Sequence, residues 1–375
     1  MTKYTFYNFM KKLMILAATA AVVLSGCVKT NVTTTISNDD QLVPIGFANY
    51  APRATKAGDT YVAGAELVKG NDFAVYAWAH EYNSEFSAQS GAPGFMNPAI
   101  VTWNEDKESG VGNTYSPVRY WPVGATPDAI SFFSYYPVNG AIVPKVTKDG
   151  NQLATFEFTV DGDAAKMVDF LVADAVGNQY YEKTNVSPDY PATVQFTFHH
   201  MLTKVAFQFK AADETLEGVE SITSTISEVK LNGINSVATL TANIASADNS
   251  WTEPETALVY NLDYAEKTLS ELVKPSDEDL FLFIPQTLDA QNLTVKWSTD
   301  ITYTDGVKTT NTKEATIALK DILDGDGNAI TWDINKSIVY TITVGSGIDP
   351  TKHKILFTGK VVEWKDDVEG AYSIE

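Results

Sequence analysis

The sequence predicts an all-β protein built from sandwiched sheets. Three observations lead there. Strand-forming residues recur in short runs that either alternate with period two or are apolar on both faces. Clusters of Gly, Pro, Asn and Asp separate the runs, as in β-sandwiches. Long windows of helical periodicity are scarce, and no fixed short repeat of a solenoid or propeller is present. At 375 residues and ~100–200 residues per domain, the chain has room for two domains.

The N-terminus precedes any of these strands. Lys3, Lys11 and Lys12 come before the apolar run LMILAATAAVVL (13–24), and LSGC closes at Cys27. A basic start, a short apolar core and small residues before a cut describe a secretory signal over residues 1–26, too short to span a bilayer as a helix. A cysteine heading the mature chain resembles the lipobox of bacterial lipoproteins, with Cys27 as the lipidated residue. Cys27 is the only cysteine, so its acylation leaves no disulfide and no thiolate metal ligand. At ~0.8 kcal/mol per buried methylene, several acyl chains anchor a protein stably. Residues 27–41 are rich in Thr, Asn and Asp and read as a polar tether. The net charge is −20, and losing three lysines with the signal makes it more negative still. Such a surface repels nucleic acid and anionic lipid and favours solubility.

The first strand lies in residues 42–50, where Val43, Ile45 and Phe47 share one face. The stretch APRATKAG (51–58) follows it, small, polar and punctuated by Pro52 and Gly58. It contains Arg53, one of only two arginines in the chain. DFAVYAW (72–78) is apolar on both faces and predicts a strand buried on both sides; VRYWPV (118–123) and AISFFSYYPV (129–138) read likewise. Residues 79–117 read as a long surface excursion. In AAKMVDFLVADA (164–175), helical spacing leaves a short helix or an irregular buried segment open. The pattern restarts after Pro188 and Pro191, which sets the expected boundary between an N-terminal sandwich (42–190) and a C-terminal one (191–375). Val194, Phe196 and Phe198, then Val205, Phe207 and Phe209, form alternating sets that each point to one side, and strands follow at 280–285, 293–298, 313–319, 338–344 and 354–364.

Chemistry-bearing motifs are sparse. His199 and His200 are adjacent in a strand, face opposite ways and cannot chelate one ion; a histidine packed beside Phe198 or capping a turn is the simpler expectation. Asp324, Asp326 and Asn328 alternate as in a calcium loop, but Ala329 and Asn335 stand where an EF-hand needs Gly and Glu, so a turn between strands is expected. Ser227 and Lys230 match a Ser-x-x-Lys spacing without its companion motifs. No phosphate loop, nucleophile elbow or paired Cys motif is present. The sequence therefore predicts no catalytic residues, no metal site and no cofactor. The chain contains 7 Trp, 18 Tyr and 18 Phe. Their strand-period placement predicts core filling, while Trp103 and Trp251 stand in polar surroundings where a glycan-binding surface would put them.

Taken in order, IGFANYAPRAT, FAVYAW, RYWPVGATPDAISFFSYYP, FTFHHMLTKVAFQF, LFLFIPQTL, ITWDINKSIVYTITV and ILFTGKVVEW resemble the fimbrillin family, lipoprotein-derived subunits of type V pili. The resemblance covers nearly all of the mature chain. It implies two tandem transthyretin-like β-sandwich domains and a route through the outer membrane to the cell surface. It also implies that an arginine-specific or trypsin-like protease cuts between Arg53 and Ala54 and frees the strand of Val43, Ile45 and Phe47. Another subunit then supplies a strand in its place, with Val361, Trp364, Val368, Tyr372 and Ile374 as candidate anchors near the C-terminus. The implied partners are other subunits, the protease and host proteins or glycans. The alternative is a surface lipoprotein that binds glycans and never polymerises.

Overall fold

The computed structural model describes residues 42–50, 72–103, 113–123, 128–138, 140, 142–181, 193–262, 267–269, 280–346 and 356–363. Their regular structure is β-strand, interrupted by single 3-10 turns such as Phe86–Ala88 and Ala164–Lys166. The first ten strands are β1 Gly46–Tyr50, β2 Phe73–His80, β3 Met96–Trp103, β4 Asn113–Thr114, β5 Ala129–Tyr136, β6 Pro144–Asp149, β7 Gln152–Thr159, β8 Leu171–Ala173, β9 Val176–Gln179 and β10 Thr193–His200. Eight of these form one sheet in the order β1-β10-β8-β5-β2-β3-β4, with β9 bonded to β5.

This sheet is apolar on both faces because its central strands are. Phe73, Val75 and Ala77 of β2 join Ile130 and Phe132 of β5 in one core. Ala74, Tyr76, Trp78, Phe133 and Tyr135 fill a second core on the opposite face. The buried serines between them are bonded: Ser134 Oγ donates to Ala74 O (2.9 Å), and Ser131 Oγ lies 2.9 Å from His80 Nε2. Burial without a lost hydrogen bond keeps their cost small.

The remaining strands are β11 Thr203–Ala211, β12 Val219–Asn243, β13 Ser250–Trp251, β14 Glu255–Leu262, β15 Lys267–Thr268, β16 Leu280–Phe283, β17 Asn292–Tyr303, β18 Lys308–Ala318, β19 Lys336–Val344 and β20 Leu356–Glu363. They complete a four-stranded sheet, β16-β11-β19-β20, and an eight-stranded one, β18-β17-β12-β7-β6, with β13, β14 and β15 also on β12. Ile338, Tyr340, Ile342 and Val344 of β19 are fully buried, as their alternation predicts.

β12 is the spine of the larger sheet. It pairs with β17 over Val219–Asn232, then bulges where Gly233 takes φ +74°. Glycine supplies that left-handed conformation without strain. Beyond the bulge, Val237–Asn243 pair with β7. Residues 182–192, which hold the expected domain boundary, lie outside the described residues. The sheets on either side do not part there: β10 belongs with β1 and β8, and β6 and β7 belong with β12.

Three local expectations change, and at 164–175 the irregular buried segment, one of the two readings left open, is what forms. Residues 79–117 are not all excursion, because Met96–Trp103 pair with β2. Residues 118–123 are not a regular strand; only Tyr120 forms a bridge, to Pro44. The helical spacing of 164–175 yields one 3-10 turn, then an extended chain ending in β8, where Met167, Phe170, Leu171 and Val172 are buried by tertiary packing. Neither histidine of 199–200 caps a turn; each faces its own aspartate. At 323–330 the expected turn is present: the Asp324 carboxylate accepts the N–H groups of Asp326 (2.9 Å) and Asn328 (2.7 Å).

The two histidines fasten the end of β10. His200 Nδ1 lies 2.9 Å from the buried Asp169 carboxylate. His199 Nε2 lies 2.8 Å from Asp174 Oδ2 on the other face, while Asp174 Oδ1 accepts the Ser246 N–H at 2.9 Å. Burial alone would raise the Asp174 carboxyl, but the hydrogen bonds from His199 and Ser246 outweigh it and hold it at about 2. A depressed carboxylate stabilises the fold above its unfolded value and loses that contribution as pH falls through its folded one. Asp174 is 45% exposed, so solvent screening reduces the effect to about 1 kcal/mol. Asp174→Asn is therefore expected to lower stability by about that amount at pH 7. Urea denaturation at several pH values should show the gap to the unaltered protein closing as pH falls from 5 towards 2.

Candidate functional site

β1 combines deep side-chain burial with a position at the end of its sheet. Ile45 and Phe47 are each 1% exposed, and Val43 packs partly buried against the same core. The Phe47 ring lies 5.2 Å from Tyr115, 5.8 Å from Phe132 and 5.9 Å from Phe196, measured between centroids. Burying Ile45 and Phe47 stabilises this seating by roughly 1.5–3 kcal/mol each.

The two flanks of β1 are unlike. On one side it pairs with β10 in parallel, Gly46 to Tyr50 against Thr193 to Thr197. A Cβ at Gly46 would stand 3.1 Å from Thr193 Oγ1, so the small residue lets the strands approach. On the other side residues 113–121 form a wall made largely of single groups. Ile45 N–H donates to Arg119 O, and Trp121 N–H to Val43 O (2.9 and 3.0 Å). The Tyr115 hydroxyl donates to Ile45 O and Asn113 Nδ2 to Phe47 O, both at 2.9 Å. Burial raises the Tyr115 hydroxyl above its ordinary value, partly offset by the backbone of Arg119. The buried Asn113 Oδ1 has no hydrogen-bond partner among the described residues. Val118 and Tyr120 of this wall are exposed, as are Leu42 and Val123 beside it.

Removing such a strand would strip the β10 ladder and empty two adjoining apolar pockets. An exposed sheet edge above an apolar trough is a template for another strand.

The expected sites fall unevenly on this structure. Val43, Ile45 and Phe47 converge on one core, as the alternation predicts. Cys27, Arg53 and Ala54 lie outside the described residues, as do Trp364, Val368, Tyr372 and Ile374. Val361 stands in β20 opposite Ile338, partly buried in the chain's own core. β20 is held on its other edge as well: Gly359 N–H donates to Leu323 O at 3.0 Å, and a Cβ at Gly359 would overlap Ile330 Cδ1. Trp251 is no open platform; its indole donates to Met201 O (2.8 Å) and its ring packs on Phe158 and Phe170. Of Trp103 only the backbone, in β3, is described. Arg119, the second arginine, is exposed, with its guanidinium 5.8 Å from the Phe95 ring. Sequence reasoning missed the wall of Asn113 and Tyr115, whose only signal was the aromatic run that follows at Tyr120 and Trp121. Among the described residues, no three His, Cys, Asp or Glu gather as a metal site.

One solved structure shares this fold. A fimbrial protein from Bacteroides vulgatus superposes with TM-score 0.63 at 19% identity, covering 86% of this chain and 99% of its own. A candidate cell adhesion protein from Bacteroides uniformis gives TM-score 0.43 at 16% identity, covering 88% and 100%. The sequence matches none of the curated proteins. The family model described as fimbrillin-like matches residues 53–364. On that match, the chain belongs to the fimbrillin-like family.

Proposed function

We propose that this chain is a structural and adhesive pilus subunit, delivered to the outer membrane as a lipoprotein and polymerised by exchange of β1 for a strand of another subunit. The observation that carries the reading is β1 itself: an edge strand with Ile45 and Phe47 buried in an apolar core, followed within a few residues by Arg53 in a small, polar stretch. Exposed segments of that composition are preferred sites of proteolysis. A cut between Arg53 and Ala54 removes the lipid on Cys27 and the strand in one step.

The exchange follows from elementary energetics. Losing β1 exposes unpaired donors and acceptors on β10 and the apolar floor at Phe132 and Phe196. A replacement strand restores main-chain bonds and refills the pockets with alternate side chains. Donor and acceptor surfaces differ, so the contact is head-to-tail and generates an open filament. β20 pairs with β19 on one edge and meets Leu323 through Gly359 on the other, which favours a donor in residues 364–375, with Val368, Tyr372 and Ile374 as its apolar anchors. Supplying a donor makes the chain a stalk subunit, with host proteins or glycans met along the filament. The packed indole of Trp251 weighs against the glycan-binding alternative.

Three measurements test this. Growth with a radioactive fatty acid should label the precursor and leave a Cys27→Ala variant unlabelled; label on neither overturns lipid delivery. Treatment with an arginine-specific protease should remove the N-terminus and yield filaments by electron microscopy, while Arg53→Ala stays intact and monomeric. Filaments from Arg53→Ala would contradict cleavage at this residue. Deleting residues 365–375 should abolish filaments and leave the monomer's urea midpoint unchanged; undiminished filaments would place the donor elsewhere.

A further inference from the structure

The parallel pairing of β1 bears on the strand that replaces it. Resting on the exchange reading above, we infer that the incoming strand enters reversed, antiparallel to β10, with Tyr372 of a second copy in the Phe47 pocket and its Ile374 in the Ile45 pocket.

Three observations support the reversal. The first is the ladder. β1 is parallel to β10, and parallel pairing is slightly less stable per residue than antiparallel. A donor in the same direction restores only what was lost, whereas a reversed donor gains the better ladder. Turning a strand end for end within a sheet keeps its inward side chains inward and swaps the edges that its peptide groups face. A residue at the Phe47 position then points its N–H and C=O at Val194, its register partner, as a hydrogen-bonded antiparallel pair.

The second observation is the opposite wall. Tyr115 and Asn113 serve β1 through side chains, and only two backbone bonds, at Arg119 and Trp121, join the wall to its lead-in. A hydroxyl and an amide can follow donors and acceptors displaced along the groove, which a full backbone ladder cannot do. The buried Asn113 Oδ1, without a partner among the described residues, is an acceptor held beside β1. In the reversed strand the N–H of residue 373 turns towards this wall, within reach of the Asn113 and Tyr115 side chains that now serve β1.

The third is side-chain order. β1 reads Ile45-x-Phe47, and residues 364–375 contain Tyr372-x-Ile374. The spacing is the same and the order of aromatic and aliphatic is opposite. Only the reversed direction sets ring on ring, in the pocket of Tyr115, Phe132 and Phe196, and isoleucine on isoleucine. Core positions tolerate such volume-conserving replacement far better than an exchange of the two shapes.

Disulfide trapping reads the direction. Gln195 is exposed on β10 and pairs in register with Ala48. A reversed donor sets Ala371 opposite Gln195, at a non-hydrogen-bonded position where antiparallel strands come closest; a donor in the same direction sets Glu375 there. Once the segment containing Cys27 is cut away, engineered thiols are the only ones in the protein. Full-length Gln195→Cys would be mixed with full-length Ala371→Cys or Glu375→Cys, cut with the arginine-specific protease and oxidised. Denaturing gels without reductant are expected to show linked dimers with Ala371→Cys and none above background with Glu375→Cys. Filaments linked only through Glu375→Cys, or through neither, would overturn the reversal and leave strand exchange standing. An absence of filaments in every mixture, the unaltered protein included, would overturn both. As a second readout, Tyr372→Phe should keep filament yield and Tyr372→Ala should lose it; equal yields would remove Tyr372 from the pocket.

Discussion

Everything distinctive about this molecule turns on where Phe47 lies. Its ring is enclosed by Tyr115, Phe132 and Phe196, yet its backbone belongs to the last strand of a sheet. A central strand with such a side chain would be permanent, and an edge strand without one would fray. The combination gives a strand that holds while the chain is continuous and would leave a shaped vacancy if it departed. Sheet membership follows from it: β10 stays with β1 and β8 although it comes late in the chain, because Val194, Phe196 and Phe198 complete the same core.

The second core explains why losing β1 need not unfold the rest. The sheet of β2 and β5 is buried on both faces, and only one face belongs to Ile45 and Phe47. On the other, Tyr76, Trp78, Phe133 and Tyr135 pack against Leu153, Phe156 and Phe158 in a cluster continuous with β11, β12 and β19. Two His–Asp contacts, His199 with Asp174 and His200 with Asp169, grip the far end of β10. The strand that would become the new edge is therefore fixed at the end away from the vacancy, which keeps its ladder straight for an incoming partner.

Strand identity was legible in the sequence wherever period two was strict, as at Ile338, Tyr340, Ile342 and Val344, and wherever both faces were apolar, as in β2 and β5. The sequence left two readings open where burial is not periodic. Met167, Phe170 and Leu171 are buried because an irregular segment is wedged between sheets, and no local pattern encodes that. Pairing partners were beyond reach for a related reason. β7 joins β12 across nearly eighty residues of chain, a choice made by core packing and by the bulge at Gly233, so chain order is a poor guide to which sheet a strand enters. Half of the candidate site was visible in the alternation of Val43, Ile45 and Phe47. The other half, Asn113 and Tyr115, acts through single side-chain hydrogen bonds that have no sequence period at all.

On the exchange reading, a cut would act through concentration rather than contact energy. While residue 50 remains joined through Arg53 to β2, β1 rebinds its groove as an intramolecular partner, at an effective concentration on the order of millimolar. A donor from another molecule, present far more dilutely, cannot displace it even if its contacts are somewhat better. Cleavage would remove this advantage without altering one contact of β1: Ile45 and Phe47 would still fill their pockets, but rebinding after departure would become bimolecular. A strand released in this way would be diluted, whereas neighbouring subunits at a surface would stay close. Small differences in ladder geometry or pocket filling, too weak to matter before the cut, decide the outcome after it. A sequence can thus keep a stable precursor and an assembly-competent product in the same fold, with one peptide bond separating them.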